Sequence, residues 1–238
     1  NTASDSYVSR NWKAGGLPTI NNVGDITSIV SANQDAGFSI VKYIGSATAN
    51  QTIGHGLGVV PDLIIVKNLS TSGESWAVQS TAMGGADWHM LLNTTDERKN
   101  NVDWIWNDTE PTADVFTVGQ YGLTNQNPDS FIAYCFASKT NYQKIGSYAG
   151  NLTTPPSITT GFSPRFLMIK KIDNGTGPWV VIDSARAPTN PASARLRANA
   201  QDTEYSNSAE AIYRSATGFT VGTAGNLNTW DGMNANST

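Results

Sequence analysis

Three tryptophans lie in one polar stretch of the chain, between Thr81 and Thr112. Proteins hold sugar rings with flat aromatic faces flanked by polar side chains, and Asn, Asp and Thr are frequent in this stretch. Trp88, Trp104 and Trp106 are therefore candidate ligand-binding residues for a carbohydrate. Trp104 and Trp106 are two residues apart, so in a strand they would share one face. The alternative is that these rings pack between parts of the protein.

The same stretch and its borders are rich in acidic residues. Two facing carboxylates would suit a glycoside hydrolase, and carboxylate oxygens also suit Ca²⁺. No calcium-binding spacing occurs, and clustered acids are more typical of a solvated loop. The sequence therefore predicts no catalytic residue and no metal site among these acids: Asp87, Asp96, Glu97, Asp103, Asp108, Glu110 and Asp114.

Other catalytic chemistry has little support in the sequence. The two histidines, His55 and His89, lie in a glycine-rich turn and in an apolar run, which favours packing roles. Cys135 lies in an apolar run, and a buried thiol is a poor nucleophile. No nucleophile elbow, phosphate-binding glycine motif or zinc ligand set occurs. We therefore expect a protein that is not an enzyme and that needs no cofactor.

The elements that must position these residues are repeated along the chain. The run that begins at Pro61 resembles the run that begins at Pro164, 103 residues later. The same offset relates Trp76 to Trp179, and it relates Phe116-Thr117-Val118-Gly119 to an identical run that begins at Phe219. Several blocks on one diagonal indicate an internal duplication.

Each copy has the pattern of a string of short strands separated by Gly, Asn and Ser-rich turns. In the first copy the predicted strands are Phe38 to Ile44, Leu63 to Val66, Trp76 to Val78, His89 to Leu92, Val115 to Val118 and Phe131 to Phe136. The sequence thus predicts an all-β fold of two tandem antiparallel β-sandwich repeats, lectin-like or jelly-roll-like. We expect an N-terminal extended tether at 1–37, the first repeat at 38–139 and the second at 140–238.

Two features of the second copy differ from the first. The alanine-rich segment from Ala192 to Ala200 could form one or two helical turns. A counterpart of the strand Phe131 to Phe136 is expected near residue 234, where the sequence is Met-Asn-Ala-Asn-Ser-Thr. A sheet without that strand would keep an open edge. Either the polypeptide continues beyond Thr238, which we favour, or another segment or subunit supplies the strand.

Composition restricts the partners of this chain of 238 residues. Hydrophobic residues make up 39% of it, which is enough for packed cores, but charged residues only 14%. The formal net charge of −4 gives no support to a nucleic-acid partner. No apolar run reaches the ~20 residues of a membrane span, so membrane insertion is not expected.

Several segments, taken in order, resemble a module of virion proteins from marine tailed bacteriophages, including cyanophages. They are Trp12 to Gly16, Ala36 to Val41, His55 to Leu57, Trp106 to Thr109, Ile132 to Phe136, Ile145 to Asn151 and Thr160 to Phe166. In such proteins the module often follows a lectin-like sandwich in tail-fibre or receptor-binding proteins. The resemblance implies an extracellular virion part without a cofactor, and it brings no functional residues with it.

These observations lead to three functional expectations. The first is a bacteriophage tail fibre or similar appendage that attaches to host cell-surface polysaccharide. Its partners would be other virion subunits, and it would be a homo-oligomer, for which a trimer is compatible. The second is a purely structural capsid decoration, neck or baseplate subunit. The third, a secreted carbohydrate-active enzyme, has the least support.

Overall fold

The computed structural model of the chain describes residues 9–100, 103–151, 154–206 and 211–222, apart from the side chain of Tyr205. The strands of the first half are β1 (Thr19–Asn21), β2 (Ser28–Asn33), β3 (Phe38–Ile44), β4 (Gln51–Gly54), β5 (Leu63–Asn68), β6 (Trp76–Ser80), β7 (Trp88–Leu91), β8 (Lys99–Asn100), β9 (Val115–Val118) and β10 (Ser130–Phe136). Those of the second half are β11 (Ser157–Thr159), β12 (Phe166–Lys170), β13 (Trp179–Asp183), β14 (Ala194–Arg197), β15 (Tyr205–Ser206), β16 (Ile212–Arg214) and β17 (Gly218–Val221). A 3₁₀ helix (Thr81–Met83) and one short α-helix, α1 (Gly122–Asn125), complete the described elements.

All strand pairs within these sheets are antiparallel, and the prediction of an all-β sandwich fold is confirmed. The first half forms an eight-stranded sheet in the order β1-β2-β3-β10-β5-β6-β7-β8, opposed by the pair β4-β9. The second half forms a four-stranded sheet, β12-β13-β14-β15, opposed by β11-β17-β16. Side chains alternate between the two faces of each strand, so each sheet can contribute to two cores.

The strand registers repeat with the sequence. Ile65 pairs with Val78 in the first half, and Met168 pairs with Val181 in the second, both 103 residues later. Across the smaller sheets, Ile53 faces Phe116 just as Ile158 faces Phe219. The hairpin β5-β6 therefore recurs as β12-β13, and the strand pair β4-β9 recurs as β11-β17.

Three hydrophobic cores lie one behind the other through the molecule. The first lies between the large sheet and β4-β9, where Ile64, Phe116 and Phe131 are buried. The third lies between the two sheets of the second half and contains Ile182 and Phe219. Between them, the outer face of the large sheet packs on the four-stranded sheet, and this middle core contains Ile65, Val78, Met83, Met90 and Trp179. The two repeats therefore share apolar surface.

The N-terminal segment takes part in this architecture. Residues 19–33, which we expected in the tether, form β1 and β2, because Ser28 and Val30 turn inward while Ile29 points out. Ahead of them, Trp12 makes edge contacts with both Phe136 of β10 and Phe166 of β12, with ring centroids 6.1 and 5.6 Å apart. The segment thus lies across the junction of the two halves.

The second half differs from its sequence-based expectation in one place. The alanine-rich segment does not form helical turns over 194–197, which is β14, paired with β13 through Val180↔Arg197 and Val181↔Leu196. Pairing in a sheet here overrides an alanine content that favours helix. The strand expected near residue 234 lies outside the described residues.

Candidate functional site: an exposed aromatic pair

Trp104 is exposed to solvent, whereas Trp106 is buried inside the protein. The Trp104 side chain is 55% exposed, whereas Trp106 is 1% exposed and belongs to the first core. Residues 103–108 form turns and bends rather than a strand, so period-two alternation does not apply to them. The expectation that the two rings share one strand face is therefore wrong. Of this pair, only Trp104 can contact a ligand from solvent without rearrangement.

The loop that carries Trp104 is fixed from beneath by backbone contacts. The N–H of Gly119 donates to the Ile105 carbonyl at 2.9 Å, and the Thr124 hydroxyl donates to the same carbonyl at 3.0 Å. A Cβ at Gly119 would lie 2.3 Å from the carbonyl oxygens of Asp103 and Trp104, so only glycine permits this approach. Because Ile105 and Trp106, the two residues that follow it, are buried, Trp104 is attached to a fixed backbone.

Tyr121 completes the site, and the sequence analysis missed it. Its backbone N–H donates to the Trp104 carbonyl at 3.0 Å, and its ring centroid lies 5.7 Å from that of Trp104, with an angle of 46° between the ring planes. Tyr121 is 42% exposed. The two rings form a tilted aromatic surface, which we call the Trp104–Tyr121 platform. Tyr121 lies two residues after the end of the duplicated Phe-Thr-Val-Gly run. This position was the one signal in the sequence that could have identified it.

Polar side chains lie beside this platform. Asp103 and Gln120, the sequence neighbours of the two rings, are exposed. At Gly122, next to Tyr121, an ideal Cβ position would lie 3.5 Å from Oε1 of Gln126 and 3.9 Å from Oε1 of Glu74. The site therefore combines apolar ring faces with hydrogen-bonding groups at its margin, as a sugar ring requires.

Trp88, the third predicted residue, lies at the start of β7 and is not part of the platform. Its ring is half-buried against the middle core, and the guanidinium carbon of Arg98 lies 4.3 Å from the ring centroid. Arg98 is itself held, since it donates to the Met83 carbonyl and lies 3.8 Å from the Asp173 carboxylate. The Arg98 cation thus already covers one face of this ring. The role of Trp88 in ligand binding stays a prediction.

The acidic residues of this region are mostly engaged with neighbours of their own. Asp96 accepts from Lys99 at 2.7 Å, and Asp87 accepts from Asn100 at 2.7 Å. Burial raises the pKa of Glu110, and the nearby charges of Asp87 and Asp108 add to this effect. Within the described ranges, no group of three or more His, Cys, Asp or Glu side chains is arranged to hold a metal ion.

Both histidines and the cysteine are buried. His55 accepts from the Leu57 N–H at Nδ1 and lies 3.2 Å from the Thr112 carbonyl at Nε2, which fits a neutral ring that donates from Nε2. Burial lowers the pKa of His89 to about 4 and raises the pKa of the Cys135 thiol to about 12. All three side chains are buried, and the raised pKa of Cys135 leaves no accessible thiolate for a Cys/His dyad at neutral pH.

The part of the chain that the structure describes contains no helix long and apolar enough to cross a membrane. Among curated proteins and among solved structures, none matches the chain. One protein family does match, over residues 1–234, and its description is "Domain of unknown function (DUF7483)". Since the match covers nearly all of the sequence, the chain belongs to this family, DUF7483.

Proposed function

We propose that the protein is a structural module of a bacteriophage tail fibre or a similar virion appendage, and that it attaches the particle to host cell-surface glycans. The observation that carries this proposal is the Trp104–Tyr121 platform: two exposed rings on a rigid loop, with polar groups at the margin. Large exposed aromatic side chains seldom cluster on a surface without a partner. The sequence resemblance to marine phage virion proteins supports the setting.

The layered β architecture also supports an appendage. The middle core holds the two repeats against each other, which favours a stiff unit. Fibres attach through several weak sites that act together, so a shallow aromatic platform on each copy suffices when the copies are assembled. A homo-oligomer, such as a trimer, would supply this multivalency.

The test is binding of the labelled, assembled protein to a printed array of bacterial surface polysaccharides. We expect Trp104→Ala and Tyr121→Ala each to weaken binding to the recognised polysaccharide by about tenfold or more, because an aromatic stacking contact is lost. Tyr142→Ala is the matched control, since Tyr142 is also an exposed ring and lies outside the platform. Its binding should stay within about twofold of the wild type. Unchanged binding by both platform variants would contradict the attachment role.

A second candidate function, a purely structural virion subunit, is favoured by a different surface. Four exposed apolar side chains lie at one edge of the large sheet: Ile20 of β1, Ile29 of β2, and Leu17 and Val23 in the segments that flank β1. Such a patch fits contact with another virion subunit. In that case Ile20→Asp would block assembly of the oligomer in sedimentation experiments, while Trp104→Ala would change neither assembly nor adsorption.

A further inference from the structure

Acidic side chains lie next to both residues of the Trp104–Tyr121 platform. Asp103 precedes Trp104 in the chain and is exposed. On the other side, Gly122 follows Tyr121, and Oε1 of Glu74 lies 3.9 Å from the position that a Cβ at Gly122 would occupy. The platform therefore has a negatively charged group near each of its two residues.

Neither Asp103 nor Glu74 forms an ion pair with a side chain in the described ranges. Lys67 contacts Glu74, but its Nζ donates to the backbone carbonyl of Glu74. The same Nζ lies 5.9 Å from the ring centroid of Trp76, at the start of β6. The Lys67 ammonium group is therefore engaged by a carbonyl and by a ring outside the platform, and it does not pair with the Glu74 carboxylate.

A third carboxylate is linked to the backbone next to Tyr121. Oδ2 of Asp129 accepts hydrogen bonds from the Asn68 amide and the Thr71 hydroxyl, both at 2.7 Å. The same Asn68 amide donates to the Gly122 carbonyl at 3.3 Å. The bonds from Asn68 and Thr71 lower the pKa of Asp129, so this side chain keeps its charge in mildly acidic solution.

The rings and the carboxylates attract the same kind of ligand. The face of an aromatic ring carries partial negative charge and attracts a cation placed over it, and nearby carboxylates add to that attraction. The same charges repel the carboxylate or phosphate groups of an acidic polysaccharide. An exposed ion pair contributes little by itself, but here it acts together with stacking on a ring. Charge complementarity therefore selects a cationic sugar among the ligands that could stack on the platform.

We propose that the platform binds a glycan whose sugar rings carry free, protonated amino groups. An apolar face of the sugar stacks on Trp104 and Tyr121, and its ammonium group lies within the negative charge of Glu74 and Asp103. This inference rests on the proposed attachment function, and it narrows the ligand from host-surface glycans in general to amino sugars without an acyl group on the nitrogen. Neutral sugars lose the charge attraction, and acidic sugars are repelled.

The probes are two soluble oligosaccharides of equal length, one of glucosamine and one of N-acetylglucosamine. They share the same sugar ring, and only the first carries ammonium groups at about pH 6, below the pKa of such an amine. Each is titrated into the full chain in a calorimeter. We expect the glucosamine oligomer to bind about fivefold or more tightly than its acetylated counterpart. Trp104→Ala should weaken the binding of the glucosamine oligomer by about tenfold, because stacking and the cation–ring contact are both lost.

Two variants that each remove one negative charge separate local recognition from the net charge of the protein. Glu74→Gln keeps the shape of the side chain and should weaken binding of the glucosamine oligomer about threefold to fivefold. Asp35→Asn is the matched control, since Asp35 is exposed in the turn before β3. The platform lies near the other end of β3, where Gly45 approaches Gln126, and the strand spans roughly 20 Å. Asp35→Asn should leave binding essentially unchanged.

Three outcomes would overturn the proposal: equal binding of the two oligosaccharides, equal losses for Glu74→Gln and Asp35→Asn, or binding of neither oligosaccharide. The polysaccharide array then decides the fate of the attachment role separately. Array binding that depends on Trp104, without binding of the glucosamine oligomer, would retain attachment and remove only the specificity for amino sugars. Array binding that is unchanged in both platform variants would remove both. The proposal holds when the amine and the Glu74 carboxylate are each required for full affinity.

Discussion

At the scale of single residues, Trp104 and Trp106 show how two identical side chains two positions apart acquire different roles. Trp106 is enclosed in the first core with Ile105, and Trp104 is turned to solvent beside Tyr121. The buried ring stabilises the loop, and the exposed ring is available to a ligand. Because the two functions are separated, substitutions can test them separately.

We expect Trp106→Ala to lower the free energy of unfolding by roughly 3–5 kcal/mol, since it removes a fully buried aromatic side chain and leaves a cavity. Trp104→Ala should change it by no more than about 0.5 kcal/mol, because the ring is mostly exposed. Urea denaturation of both variants measures the difference. Equal losses would mean that Trp104 is a structural residue and would remove the basis for the platform.

His89 predicts a pH dependence of stability. Burial lowers its pKa to about 4 in the folded protein, below the ordinary value of 6.5, so the folded state binds fewer protons than the unfolded state. The contribution of neutral His89 to the free energy of unfolding is therefore complete above pH 6.5 and is lost as the pH falls toward 4. The loss at pH 4 is on the order of 3 kcal/mol.

The measurement compares urea denaturation of the wild type and of His89→Gln at pH 7 and pH 4.5. The wild type should lose more stability between these two pH values than the variant does, since carboxylates contribute equally to both proteins. His55→Gln serves as a second comparison, because burial also lowers the pKa of His55. An identical pH dependence for wild type and His89→Gln would contradict the assignment.

At the scale of elements, the loop that carries Trp104 depends on the turn after β9. Gly119 lets that turn approach the backbone of Asp103 and Trp104 more closely than any side chain would permit. Immediately afterwards, α1 begins, and the Asn125 side chain donates to the Gly119 carbonyl at 2.7 Å. The short helix therefore holds the turn, and the turn holds the platform.

Gly119→Ala should disrupt this arrangement. Overpacking of this kind typically costs about 1–3 kcal/mol, and relief of the clash requires the backbone at Trp104 to move. We expect a lower melting temperature together with loss of polysaccharide binding. Gly146→Ala is the matched control, since a Cβ at Gly146 would meet nothing within 4 Å. A Gly119→Ala protein with normal stability and binding would show that the close approach is dispensable.

At the scale of the whole molecule, the middle core joins the two repeats. Trp179, at the start of β13, is buried there, and its indole N–H donates to the Leu91 carbonyl of the first half at 3.1 Å. At the border of the middle core, the Arg10 guanidinium donates a hydrogen bond to the Asp183 carboxylate at 2.6 Å. Trp12 makes ring contacts with both halves. Burial alone would raise the pKa of Asp183, but hydrogen bonds from Arg186 and Arg10 lower it to about 2.

We expect the wild type to unfold in one calorimetric transition, because the shared core couples the repeats. Trp179→Ala should remove roughly 3–5 kcal/mol of buried aromatic packing and separate the transition into two, with the second half melting first. Trp12→Ala should have a smaller effect, because Trp12 is partly exposed at the border of the junction. A single transition for Trp179→Ala, shifted as a whole, would mean that other contacts suffice for coupling.

The sequence by itself determined the strands, the antiparallel sandwich class and the repeated register, because these depend on local alternation and on a duplication with a constant offset. It also placed Cys135 in a core, since apolar runs become buried strands. Only the tertiary structure decided that β1 and β2 join the sheet, and that the segment around Ala194 pairs as β14. It also decided that Trp104 meets Tyr121 while Trp106 is buried. Each of these depends on contacts between residues far apart in the chain, or on turns without periodicity, and local patterns carry no information about either.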